Sequence, residues 1–161
     1  MIVRRARVDD AAAAARLVAD VAAEERWIGT EPPVDEEAWA ARFRDTVAAG
    51  TDVVLVAEAG RDLVGNLGLH FHRIGPPTLG MSVAREWRGR GVGARLVEAA
   101  IEAAHAAGAY KIALEVFPHN EAALALYRKF GFVEEGRLRK HYRRRNGVLW
   151  DAVVMGLVLD P

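Results

Sequence analysis

The chain contains no cysteine. Disulfides, cysteine–zinc sites and a cysteine nucleophile are therefore excluded, and the absence fits a cytoplasmic protein. It carries no net charge, because 22 Lys and Arg balance 22 Asp and Glu. Nothing global draws it toward nucleic acid or an anionic membrane. No apolar run approaches transmembrane length. Arg4, Arg5 and Arg7 before the alanines at 11–15 superficially resemble a secretion signal. Asp9, Asp10, Arg16 and Asp20 break any apolar core there, so the segment reads as an amphipathic helix capped near Asp9 or Asp10. There are no repeats and no low-complexity tails. With 161 residues, 52% of them hydrophobic, the chain reads as one domain over 1–161 with a proper core.

The periodicity predicts an α/β order of β-α-α-β-β-β-α-β-α-β-β. A strand over 2–7 leads to helices over 10–23 and 35–48, separated by a loop that carries Trp27 and Pro32-Pro33. Strands over 53–58 and 63–72 form a hairpin around Gly60, and a third strand covers 78–84. An amphipathic helix over 94–107 buries Leu96, Val97, Ala100, Ile101 and Ala104. A strand over 110–117 precedes a helix over 121–130 that Asn120 can cap and Gly131 can end. Strands over 132–142 and 147–159 close the chain through Asn146-Gly147.

Between the 78–84 strand and the following helix lies Arg88-Gly89-Arg90-Gly91-Val92-Gly93. Three glycines in five residues let the backbone turn sharply and approach a ligand. The helix start offers unpaired N–H groups and a positive dipole end, a site for a pyrophosphate. Arg88 and Arg90 add charge. No Gly-Lys-Ser/Thr follows, so this is not a P-loop. The glycines at 89, 91 and 93 do not match the dinucleotide spacing Gly-x-Gly-x-x-Gly.

These residues resemble the GNAT superfamily of N-acetyltransferases, whose acetyl-CoA motif is Arg/Gln-x-x-Gly-x-Gly/Ala. The family's second block appears as Asn120-Glu-Ala-Ala-Leu-Ala-Leu-Tyr127, followed by Gly131-Phe132. The ending from Glu135-Gly136 to Trp150-Asp151 looks like bacterial amino-acid N-acyltransferase members. The resemblance implies a mixed, mostly antiparallel central sheet with splayed central strands, flanked by helices. It implies acetyl-CoA as co-substrate and no metal. The pyrophosphate would rest on the N–H groups of Arg88, Gly89, Arg90, Gly91, Val92, Gly93 and Ala94. The pantetheine arm would pair with backbone around Met81 and Val83, and the acyl group would enter between strands 78–84 and 110–117. In this family Asn120 also lies near the pantetheine or the acceptor.

Attack on a thioester needs a neutral amine, an oxyanion donor and a proton for the departing thiolate. The N–H of Met81 or Ser82 is the candidate oxyanion donor. Tyr127 is the candidate acid, although its helix face, shared with Ala123, Leu126 and Phe130, equally suits a core aromatic. Glu115, among apolar neighbours, is the candidate base. A carboxylate there stands either at the sheet's open gap or paired with a cation; burial would raise its pKa, and a structural salt bridge to an arginine is the competing reading. In ribosomal-protein alanine acetyltransferases, which this spacing resembles, a glutamate twelve residues before the tyrosine serves as base.

His70 and His72 share a strand face and either line the acceptor cleft or lie exposed, since no third metal ligand is evident. Six Lys and Arg crowd 137–145. They read as a solvated hairpin, or as a reader of an acceptor carboxylate or of the cofactor's 3′-phosphate. The leading expectation is acetyl transfer to the primary amine of a small molecule such as an amino acid, without nucleic-acid or membrane partners. Peptide N-terminal acetylation, a non-catalytic acyl-CoA sensor and a cofactor-free scaffold stay as alternatives. A homodimer through the late strands is a further implication of the resemblance.

Overall fold

The computed structural model describes residues 1–159. Seven strands form one sheet in the order β1-β2-β3-β4-β5-β7-β6. They are β1 (Ile2–Arg5), β2 (Val53–Ala59), β3 (Asp62–His70), β4 (Thr78–Val83), β5 (Lys111–Val116), β6 (Val133–Arg143) and β7 (Leu149–Val158). Four helices flank it: α1 (Ala11–Ala23), α2 (Glu36–Ala49), α3 (Val92–Ala106) and α4 (Glu121–Lys129). Every predicted element is present in the predicted order. No helix among the described residues is long and apolar enough to cross a membrane.

Small residues set the helix positions. Ala11, Ala14 and Ala15 of α1 meet Ala40 and Phe43 of α2, so the two helices pack closely. Val54 joins that cluster. Ala57, three residues later, lies beneath Gly65, where an added Cβ would stand 2.9 Å from both Leu96 and Val92 of α3. Side-chain alternation along β2 therefore puts α1–α2 and α3 on opposite faces. Leu96, Val97 and Ala100 of α3 are fully buried against the sheet.

Two local readings change. The first strand stops at Arg5 and a short 3-10 turn, Val8–Asp10, precedes α1. The Asp10 carboxylate does not cap α1; it accepts from the Arg7 N–H at 2.7 Å and from Arg4 at 2.8 and 2.9 Å. The third helix begins at Val92, inside the glycine turn, so the turn is the helix start itself.

One irregularity makes room for function. β4 pairs with β3 along its whole length, and β5 pairs with β7 along its whole length. Between them, β4 and β5 run parallel but meet only at Thr78 and Ala113, where the Ala113 N–H donates to Pro77 at 3.0 Å. Beyond that point the central strands diverge. The β4–α3–β5 crossover puts the N-terminus of α3 at the open end of the divergence.

Candidate active site

The gap between β4 and β5 opens into a cleft of about 600 Å³. Its walls come from β4, the glycine turn, α4, β5, the segment Trp27–Gly29 and Tyr142 of β6. Arg88, Gly89, Gly91, Val92, Gly93, Ala94, Met81, Ser82, Val83, Asn120, Glu115 and Tyr127 all border this one cavity. Arg90 is exposed just outside it, its guanidinium 5.0 Å from the Trp87 ring.

Backbone alternation explains which main-chain groups of β4 face the gap. Pro77 accepts from β5, while the Ala84 N–H donates to Val64 of β3 at 2.9 Å. N–H and C=O of one residue point the same way and reverse at the next. Odd-numbered residues of β4 thus turn their polar groups to the gap, and even-numbered ones turn to β3. Met81 presents an unpaired edge to the cleft; Val83 presents its N–H, its carbonyl accepting from Arg88. Ser82, paired opposite Asn66, points its N–H away from it. Of the two residues considered as oxyanion donors, only Met81 has the required direction.

The glycines divide their work. Gly89 and Gly91 have φ of 73° and 84°, conformations that L side chains resist, and space is open around both. Gly91 is the residue from which α3 starts, and no side chain caps that start. The first helical bond runs from the Arg95 N–H to Gly91, leaving the N–H groups just before it free for a ligand. Gly93 serves packing. A Cβ there would sit 3.0 Å from Leu126 of α4 and 3.4 Å from Met81. Its absence lets α4 close against α3 and β4.

Arg88 does not act as a free cation. Its guanidinium grips both oxygens of Glu24, at 2.9 and 2.6 Å, and its Nε donates to the Val83 carbonyl at 3.1 Å. The Trp27 indole N–H also donates to Glu24, at 3.2 Å. The guanidinium holds the Glu24 carboxyl below its ordinary range. This joint ties the end of α1 and the Trp27 segment to the edge of β4.

Tyr127 is 6% exposed, with its ring 5.5 Å from Phe132. Burial pushes its phenol well above the ordinary value, so it keeps its proton at neutral pH. Its hydroxyl has no protein partner among the described residues, yet none of their buried polar side-chain atoms is unpaired. The hydroxyl therefore opens onto the cleft. The ring is core while the oxygen faces the cleft. Asn120 caps α4, accepting from the Ala123 N–H at 3.2 Å.

Of the two places open to it, Glu115 takes the open gap of the sheet. It is exposed to the cleft rather than buried, and no arginine among the described residues forms a salt bridge with it. Instead the Tyr142 hydroxyl donates to it at 2.6 Å. The carboxylate pushes the Tyr142 phenol up to about 12, so that proton stays in place. Tyr142 has no motif in the sequence. It reaches Glu115 across the sheet because β6 and β7 fold back beside β5.

The wall of the cleft at Phe117 is backed by aromatic rings. Phe117 stacks on His119 at 5.8 Å and meets Trp150 edge-on at 4.8 Å. The His119 Nε2–H donates to the Arg26 carbonyl at 2.6 Å. Arg144, from the basic stretch read as solvated, is 5% exposed and lies 4.3 Å over the Trp150 ring. Glu24, His119, Tyr142 and Arg144 were not legible in the sequence. Each works through a partner far away in the chain. His70 and His72 do not reach the cleft; they pair with Asp52 at 2.9 Å and with Thr78 at 3.0 Å.

The sequence matches the model of the acetyltransferase (GNAT) family over residues 18–132. It is 36% identical over 117 residues to the N-alpha-acetyltransferase RimI of Mycobacterium tuberculosis, covering 68% of this chain and 71% of that one. It is 35% identical over 109 residues to the L-amino acid N-acetyltransferase AaaT of Escherichia coli, covering 65% and 67%. The fold superposes on yncA of Salmonella typhimurium, solved with its cofactor acetyl-CoA, with a TM-score of 0.88 at 21% identity over 100% and 95% of the two chains.

Proposed function

Because the chain belongs to the GNAT family of N-acetyltransferases, we propose that it acetylates the primary amine of a small molecule, an amino acid in the first instance, by direct attack in a ternary complex. The observation that carries this reading is one cavity bordered by two kinds of group. The α3 start and the β4 edge suit the donor, while Glu115 with Tyr142 suits an amine.

Acetyl-CoA, when bound, supplies the activated acyl group. The residues present fit it. The uncapped N–H groups at Gly91 to Ala94 match a pyrophosphate, and Arg90 flanks them. The Met81 edge and the Val83 N–H would suit the amides of a pantetheine arm. At the divergence the Met81 N–H donates to the acyl oxygen as it gains charge. Glu115, its orientation held by the Tyr142 hydroxyl, takes the proton of the amine. That step matters because an α-amine has a pKa near 8 and is mostly charged at pH 7. Tyr127 gives its proton to the departing sulfur. A cytoplasmic setting, where acceptor and donor are both available, belongs to the same reading.

A fastened loop beside the cleft supports a small acceptor. The 24–35 loop is fastened to the β6–β7 hairpin, whereas a peptide needs an exit for the chain beyond its first residue. The competing reading, acetylation of peptide N-termini, draws on the RimI relative and on the twelve-residue spacing of Glu115 and Tyr127. Mass spectrometry of a mixed reaction separates them. Free amino acids, polyamines, aminoglycosides and short peptides compete for limiting acetyl-CoA. Acetylated free amines are expected, and acetyl groups found only on peptides would favour the competitor.

A further inference from the structure

Arg144 is one of two buried polar or charged residues of the described chain, the other being Ser82. A guanidinium out of water is costly unless every donor is satisfied. Here two nitrogens donate to the main-chain carbonyls of Gly29 at 3.2 Å and Ile28 at 3.4 Å. Nε faces Glu31 at 3.8 Å. The charged plane lies over Trp150 at 4.3 Å and beside Phe117 at 5.5 Å. A planar fork can bridge two successive carbonyls and stack on a ring at once, which an ammonium cannot.

Its neighbours continue the same seam. The Arg145 N–H donates to both oxygens of Glu31 at 3.1 Å, and its side chain donates to the Pro32 carbonyl. His119 holds Arg26 from the other side. The loop between α1 and α2 is thus fastened at five residues, although it has no regular structure of its own. Ile28, Gly29 and Phe117 border the cleft, and Arg144 does not. Arg144 therefore acts on the acceptor through them. Its nitrogens are also committed, so it is not the reader of an acceptor carboxylate.

We propose that Arg144 is a positioning residue for acceptor choice: it holds the Ile28–Gly29 wall in place against the cleft and so favours free amines over peptide N-termini. This inference rests on the small-amine reading above. The stretch read from sequence as a charged surface is, at this one residue, the back of the acceptor wall.

The test compares kcat/KM for a free amino acid with that for the same residue at the start of a tripeptide. It is run on the wild type, Arg144→Met and Glu31→Ala. In Arg144→Met the free-over-peptide ratio is expected to fall about ten-fold or more, carried by KM for the free amine. CoA affinity and kcat for the free amine should stay near wild type. Glu31→Ala loosens the same seam from the loop side without opening the core, and should move the ratio the same way by about three-fold. It decides the matter if Arg144→Met does not fold. Wild-type ratios in the folded variants, or equal losses on both acceptors, would overturn the proposal. A wild-type enzyme that acetylates only peptides would instead defeat the small-amine reading on which it rests.

Discussion

At the end of the cleft proposed for the donor, the groups that face it are main chain: the free N–H groups at the start of α3, the Met81 edge of β4 and the Val83 N–H. At the end proposed for the acceptor they are side chains from remote segments: Trp27 from the α1–α2 loop, Glu115 and Phe117 at the end of β5, and Tyr142 on β6. The donor end depends on glycines and strand alternation within some fifteen residues of sequence. The acceptor end depends on contacts such as Arg144 with Gly29, 115 residues apart. Backbone recognition is indifferent to most side chains, so one donor end can serve many acceptors. Side chains held by distant partners can change singly, and selectivity can change with them. The two ends meet at a single joint, where Glu24 accepts from Arg88 of the turn and from Trp27 of the loop.

The comparison can be broken first at the donor end. Gly91→Val places a β-branched residue at φ 84° and a side chain where a ligand must approach. CoA affinity by calorimetry should fall about 100-fold or more. Unchanged affinity would remove the pyrophosphate from the start of α3.

Tyr127→Phe keeps the buried ring and deletes only the oxygen that opens to the cleft. Turnover should drop about ten- to a thousand-fold while CoA affinity holds. A wild-type rate would make Tyr127 a core residue alone.

Tyr142→Phe sharpens the contrast from the acceptor side. Glu115 would lose its fixed orientation but not its charge. We expect kcat to fall about three- to ten-fold. CoA affinity should be untouched, since no donor-end group contacts Tyr142.

The smallest effect lies at the joint. Arg88 lowers the Glu24 carboxyl below its ordinary 4.5 in the folded protein. A depressed folded pKa stabilises at pH above the unfolded value, and that stabilisation is lost as pH falls through the folded one. Glu24→Gln should therefore lower the thermal midpoint at pH 7, and the gap to wild type should close as pH drops below about 4.5. A gap independent of pH would mean that the pair contributes by shape rather than by charge.

The same contrast explains what could be read in advance. Hydrophobic period and turn residues marked every element, because Leu96, Val97 and Ala100 or the φ-positive Gly50 and Gly131 act within their own segments. The donor end was legible for the same reason. Gly93 was legible as a glycine but not as the gap that admits Leu126, which depends on where α4 lands. Glu115 was legible as a carboxylate at the open gap of the sheet, but its exposure and its Tyr142 partner were not. Apolar neighbours along a strand say nothing about what a more distant strand brings beside them. Arg144 shows the limit most plainly. Among five other cations it carries no local mark, and only the returning loop makes it buried.

The central claim is that this cleft joins an acetyl donor to a small amine. Thiol release from acetyl-CoA, measured across amino acids, polyamines, aminoglycosides and N-terminal peptides with CoA binding titrated in parallel, tests it most directly. The account predicts tight CoA binding and turnover concentrated on one class of free small amine. Tight binding with no thiol release on any free amine, or release with peptides alone, would contradict it.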